Sequence, residues 1–143
     1  MSARKDPYKN YRFRVDIDEI QAGFSSVTMP EVKAEVIEYR EGSDLKSGVR
    51  KLPGRIEYEN IKLKWGITSS LDLYNWWKTV REGSLKRRDM SITLLDDNGN
   101  EACRWNVVNA WPVAYKPGPL EATGNDVLIE LLEIAHEGFE RVL

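Results

Sequence analysis

The sequence holds one histidine, His136, and one cysteine, Cys103. That scarcity excludes whole classes of chemistry. A lone histidine makes no multi-histidine metal site. It could serve a Ser-His-Asp triad, but no serine lies in a nucleophile-elbow pattern, so His136 reads as a structural or surface residue. A lone cysteine makes no disulfide within the chain. Neither sign of charge is in excess: 21 Lys and Arg face 23 Asp and Glu, a net charge of -2. That balance gives no electrostatic drive toward nucleic acid or an anionic membrane. No run approaches the ~18 apolar residues of a membrane helix, so no membrane insertion is expected. Met1 to Tyr11 lacks the apolar centre of a signal peptide, and folding in the cytoplasm is expected. There is no repeat, no low-complexity tract and no linker. The 143 residues are expected to form a single domain over 1–143. Such a chain buries roughly 70% of its unfolded surface and needs no metal or disulfide to fold.

The remaining candidates for chemistry have simpler readings. Gly48 to Gly54 is glycine-bearing and basic but lacks the Gly-Lys-Ser/Thr ending that cradles phosphate. Asp96, Asp97, Asn98 and Asn100 suggest a calcium loop, yet the glycine falls at the fourth position and Val107 occupies the twelfth. A hairpin turn of type I′ at Asn98-Gly99 explains them better. Lys86-Arg87-Arg88 reads as a solvated run complementing a helix C-terminus. Asp16, Asp18 and Glu19 read as a strand end. Cys103 alternates with Trp105 and reads as a small buried residue. No catalytic residue, cofactor or metal ligand is expected, and the chain does not read as an enzyme.

The periodicity is mainly of strands. Tyr11, Phe13, Val15 and Ile17 alternate with charged residues, and Gly23 to Val27 is a short extended piece. Val32, Ala34 and Val36 alternate with Lys33 and Glu35, after which the apolar phase shifts to Ile37 and Tyr39. The shift implies a bulge or burial on both faces. Arg40 to Gly54, with three glycines and a proline among charges, reads as a long exposed loop. Ile61, Leu63 and Trp65 form the next strand. The spacing predicts a helix over Ser70 to Glu82, capped by Ser69 with Asp72 in capping-box relation and stopped at Gly83. Its packing face is Leu73, Trp76, Trp77 and Val80. Trp76 and Trp77 at helical spacing read as core and interface, not as a base-stacking pair. Met90, Ile92 and Leu94, then Cys103, Trp105 and Val107, form a hairpin. A kink is expected near Asn109, and Pro112 argues for an edge or bulge. Val127 to Ala135 reads as the last strand, apolar on both sides apart from Glu130 and Glu133. About seven strands and one packed helix imply a mainly β fold, a β-sandwich or small barrel.

The order of these pieces resembles the tail tube (inner tube) protein family of contractile-tailed phages and extracellular contractile injection systems. The stretches that carry the resemblance span nearly the whole chain. They are Asp6-Pro-Tyr-Lys-Asn-Tyr-Arg-Phe-Arg-Val15, Ala22-Gly-Phe-Ser25, Val36-Ile-Glu-Tyr-Arg-Glu-Gly42 and Lys51-Leu-Pro-Gly54. Then come Tyr58-Glu-Asn-Ile-Lys-Leu-Lys64, Gly66-Ile-Thr68, Asn109-Ala-Trp-Pro112 and Ala122-Thr-Gly-Asn-Asp-Val127 leading to His136-Glu-Gly138. Trp65 departs from the pattern, where relatives often carry Arg, and is expected to alter a surface or interface contact.

The resemblance implies hexameric rings stacked into a hollow tube inside a contractile sheath, with baseplate and terminator or cap proteins as partners. Protein cargo or DNA would pass through the lumen of a phage tail or of an extracellular or membrane-anchored particle. It further implies that the loop after the second major strand reaches an adjacent ring. On this chain that loop is Glu41, Gly42, Ser43, Asp44, Leu45, Lys46, Ser47 and Gly48. Lumen charge is expected on the Lys62/Lys64 side or the Arg104/Asn106 side. The competing reading is a monomeric β-barrel whose ligand cavity is lined by Trp65, Trp105, Trp111 and Tyr115.

Overall fold

The structure is a computed structural model and describes residues 6–20, 22–42, 48–124 and 126–143. Among the described residues, nine strands and one helix run in the order β1 (Phe13–Ile17), β2 (Ser26–Thr28), β3 (Val32–Tyr39), β4 (Arg50–Tyr58), β5 (Ile61–Gly66), α1 (Asp72–Arg81), β6 (Arg88–Leu95), β7 (Glu101–Pro117), β8 (Ile129–Ala135) and β9 (Gly138–Arg141). Seven of them form one sheet in the order β1-β6-β7-β8-β5-β2, with β9 also on β7. The sheet folds over on β7. The first half of β7 pairs with β6 and β9, and the second half pairs with β8. Two layers result, and Val15, Ile17, Met90, Ile92 and Val107 of one pack against Ile61, Leu63, Trp65, Leu132 and Ile134 of the other. Neither end strand, β1 nor β2, pairs with the other, so the architecture is an open sandwich and not a closed barrel.

The bend is made by Asn109, which takes a left-handed φ of 51° in mid-strand. Asn is among the few non-glycine residues that adopt this conformation at low cost. Its backbone N–H donates to Asp89 Oδ1 at 3.0 Å and its side-chain amide to Glu137 Oε2 at 2.8 Å, which holds the corner. A second irregularity follows between Pro112 and Ala114. The kink at Asn109 and the bulge at Pro112 therefore both occur, inside one 17-residue strand.

Several expectations change. Arg40 to Gly54 is not all loop, because β4 begins at Arg50 and pairs with β3. A bulge at Gly54-Arg55, where two residues oppose Glu35 alone, interrupts its ladder. The helix starts at Asp72, with Leu71 in the N-cap position and no side-chain cap. The capping box is replaced by hydroxyls upstream: Thr68 Oγ1 accepts from Ser70 N at 3.2 Å, and Ser70 Oγ from Asp72 N at 3.4 Å. The helix stops before Gly83, which takes φ 76°. The hairpin after β6 has a three-residue loop instead of a type I′ turn. Asp96 and Asn100 close it, only Gly99 is left-handed (φ 81°), and Asp96 Oδ1 accepts the N–H groups of Asn98 and Asn100. Val127 to Ala135 shortens to β8, and β9 follows it.

Leu73 and Trp76 of α1 are buried, and Trp77 and Val80 are half-buried. The Trp76 indole donates to the Lys86 carbonyl at 2.7 Å, and the Arg88 guanidinium lies 5.9 Å over its ring. Lys86 and Arg88 both reach Glu19 Oε2, at 2.8 and 3.2 Å. The basic run therefore ties the start of β6 to the turn after β1, where the acidic residues stand, and is not simply a solvated helix end. These hydrogen bonds, and the two positive charges, hold the Glu19 carboxyl below its ordinary range.

Because the fold turns on one left-handed residue, Asn109→Val should destabilise the chain by about 2 kcal/mol and Asn109→Gly by clearly less. Urea unfolding of the two variants checks this. Equal losses would place the cost in the side-chain hydrogen bond and not in the backbone.

Candidate functional site

The β3–β4 ribbon stands apart from the sandwich as a separate two-stranded sheet. Every residue of β3 is exposed, and every residue of β4 except Gly54. Pairing sets its faces. Val32 opposite Tyr58, Ala34 opposite Ile56 and Val36 opposite Pro53 make one face of the root apolar. The other root face carries Lys33 with Glu57 (3.8 Å) and Glu35 with Arg55 (3.6 Å). Past the bulge the arrangement inverts. Ile37 opposite Leu52, followed by Tyr39, places apolar side chains on the formerly charged face, and Glu38 opposite Lys51 charges the other. Of the two alternatives for the shifted phase in 32–39, the bulge is present, though across the ladder in β4. Burial on both faces is not, because every residue of β3 is exposed even though both faces carry apolar groups. Val36 is 61% exposed and Ile56 53%. Exposed ion pairs contribute little, about 0–1 kcal/mol each, so this chain leaves the ribbon without a core.

The ribbon is anchored at its base. Glu31 N donates to Glu59 Oε1 at 2.8 Å, and Glu59 N to Glu31 O at 3.0 Å. His136 Nε2 lies 2.8 Å from the Glu59 carbonyl and Nδ1 3.2 Å from the Gly138 carbonyl, with the ring tilted against Tyr58 at 5.4 Å. The lone histidine thus links the ribbon base to the turn between β8 and β9. Of the loop expected to reach outward, Glu41, Gly42 and Gly48 are exposed beside the tip. Ser43, Asp44, Leu45, Lys46 and Ser47 lie outside the described residues.

Within the sandwich, Trp65 is buried and not at the surface, because strand alternation puts it on the inward phase with Ile61 and Leu63. Its indole donates to Glu130 Oε1 at 3.2 Å. Glu130 shares the inward phase of β8 with Leu132 and Ile134 and is itself buried. The Tyr115 hydroxyl donates a short hydrogen bond to Glu130 Oε2. Tyr115 packs edge-on against Tyr74 of α1 at 5.3 Å. Together these residues line a cavity of about 480 Å³. The four aromatics named for a ligand cavity do not converge. Trp65 and Tyr115 meet here, whereas Trp105 lines a separate cavity of about 410 Å³ with Phe13 and Met29. Lys62 and Lys64 are exposed on β5, while Arg104 and Asn106 are half-buried on β7, in the other layer. Among the described residues no group of three or more His, Cys, Asp or Glu could hold a metal ion. Among them, too, no helix is long and apolar enough to cross a membrane.

An open sandwich with free edge strands and an apolar ribbon that its own chain leaves uncovered is the surface of an assembly subunit. The family model of the T4-like virus tail tube protein gp19 matches residues 9–140, and the chain belongs to that tail tube family. It is thus an inner-tube subunit of contractile tails and injection systems. No curated protein sequence matches this chain. Among solved structures it is similar to a chain of an extracellular contractile injection system, the PVC sheath/tube terminator in the extended state. That match has 26% identity, 99% of this chain and 100% of that one covered, and a TM-score of 0.88. It is also similar to a chain of the PVC sheath–tube complex in the extended state, with 27% identity, 95% and 91% covered, and a TM-score of 0.85. Hcp1 from Flavobacterium johnsoniae shares the fold at 15% identity, with 90% and 93% covered and a TM-score of 0.55.

The Tyr115 hydroxyl has its pKa pushed up to about 12, first by burial, then by the hydrogen bond to Glu130 and by the charge of that carboxylate. An unfolded tyrosine ionises near 10. The folded state therefore holds the proton that the unfolded state releases. Stability from this group is intact below about pH 10 and is lost as pH rises toward 12. Urea midpoints followed across that window should fall less steeply in Tyr115→Phe than in the wild type. Identical slopes would mean the hydroxyl titrates freely.

Proposed function

We propose that the chain closes into hexameric rings that stack into a hollow tube, and that it acts by assembly without catalysis. The single observation that carries this reading is the β3–β4 ribbon with apolar side chains on opposite faces at its root and tip. One face suits a neighbour within the ring, and the other suits the adjacent ring together with the loop Glu41 to Gly48. Ring closure also supplies partners for the free edges at β1 and β2, which would otherwise invite uncontrolled pairing. The mixed charges flanking the tip favour oriented stacking over a dry permanent seam.

The tube, built in the cytoplasm, is surrounded by a sheath whose contraction drives it through a target envelope while the lumen conducts cargo. The similar PVC chain stands in a sheath–tube complex, which supports a sheath partner here. The similarity to a chain of the sheath/tube terminator supports a terminal cap, and a baseplate is the expected partner at the other end. The near balance of charge sets no preference between nucleic acid and protein in the lumen.

Ile56→Asp should abolish rings in negative-stain images while leaving the circular dichroism of the chain unchanged. Each contact would lose about 1.5–3 kcal/mol of apolar burial and gain the cost of desolvating a carboxylate. Normal rings from that variant would remove the root face from the interface. Deletion of Ser43 to Ser47 should leave single rings and stop stacking. Long tubes of ordinary appearance would sink the assignment of the loop.

A further inference from the structure

The cavity between β5, β8, the second half of β7 and α1 has a composition that tube assembly alone does not require. Its floor is Glu130, a carboxylate only 6% exposed. Both hydrogen bonds to that carboxylate come from uncharged donors, the Trp65 indole and the Tyr115 hydroxyl. Among the described residues it forms no ion pair, and no lysine, arginine or histidine lines the cavity. Removing a carboxylate from water without a cation costs several kcal/mol, which a positive group entering the cavity would offset. Trp65, Tyr74 and Tyr115 wall the space, and aromatic faces attract cations. The volume of about 480 Å³ lies within the range of small-ligand sites.

We infer that this pocket is a binding site for a guanidinium group, the head of an arginine side chain. Each carboxylate oxygen of Glu130 accepts one bond and keeps capacity for another, so a planar fork can donate to both at once. An ammonium offers a point charge and no such match. Exposed Ile67 (45%) and Leu71 (60%) line the cavity beside the exposed hydroxyls Thr68 and Ser70. That is the surface along which a methylene stem would lie with its charged head inside. The site stands independently of ring formation. The arginine belongs either to a second copy of the chain or to another protein docked on this face.

The test is a calorimetric titration of the full chain, dilute enough to remain unassembled, with ethylguanidinium chloride. A matched titration with sodium chloride at equal ionic strength controls for screening. The Trp65 indole resonance is followed by NMR in parallel. The expected result is saturable binding with a dissociation constant on the order of 1–10 mM, a shift of the Trp65 resonance, and no such response to sodium. Glu130→Gln, whose amide oxygen can still accept from the Trp65 indole while its NH2 donates to the Tyr115 hydroxyl, should weaken binding at least about tenfold. A response that does not saturate, or that sodium reproduces, overturns the proposal even if that variant fails to fold. Unchanged affinity in a folded Glu130→Gln overturns it as well. Repeating the titration on assembled protein separates the two sources. A site filled by a second copy no longer responds, whereas one kept for another protein responds as before.

Discussion

A two-stranded ribbon has one ladder of hydrogen bonds and no interior. In water such a hairpin is marginally stable at best, and it becomes secure only when a third strand or another apolar face covers it. Here the ribbon is eight and nine residues long on its two sides and carries Val32, Val36, Ile37, Leu52, Ile56 and Tyr58 in solvent. Among the described residues, its own chain supplies only the clamp at its base, through Glu31, Glu59 and His136. The covering must come from outside the protomer. That requirement gives meaning to the inverted faces: one apolar face would need one partner surface, and two opposed faces need two.

The sandwich is organised to present this ribbon. β7 spans both layers and bends at Asn109, and β8 and β9 follow the same bend across Glu137. The sheet ends at β1 on one side and at β2 on the other, and the ribbon leaves the body between β2 and β5. An uncovered ribbon and an uncovered edge therefore stand side by side in the chain. In a monomeric protein both would be liabilities. In a subunit that repeats around an axis each copy can cover the next.

Much of this was legible in the sequence because period two survives wherever one face is buried and the other wet. β1, β5 and β6 with the start of β7 read directly from Val15-Asp16-Ile17, Ile61-Lys62-Leu63 and Met90 to Val107. The kink at Asn109 was legible from residue type. What stayed hidden has local causes. β4 was obscured by Pro53 and Gly54 in its middle, while the bulge at Gly54-Arg55 sends Leu52 and Ile56, which keep period two in the sequence, to opposite faces. The polar cavity was hidden because Glu130 looks like an interruption of an apolar run. Only its inward phase with Leu132 and Ile134 marks it as buried, and its partners Trp65 and Tyr115 lie 65 and 15 residues away. The helix start moved because hydroxyls two residues apart replaced the capping box.

The central claim is that the ribbon depends on neighbouring copies for its order. Amide hydrogen exchange compared between dispersed and assembled protein tests it most directly, since protection reports local opening. The amides of β3 and β4 should exchange far faster than those of β5 to β8 in dispersed protein, and should become protected on assembly. Equal protection of the ribbon in both states would contradict the account.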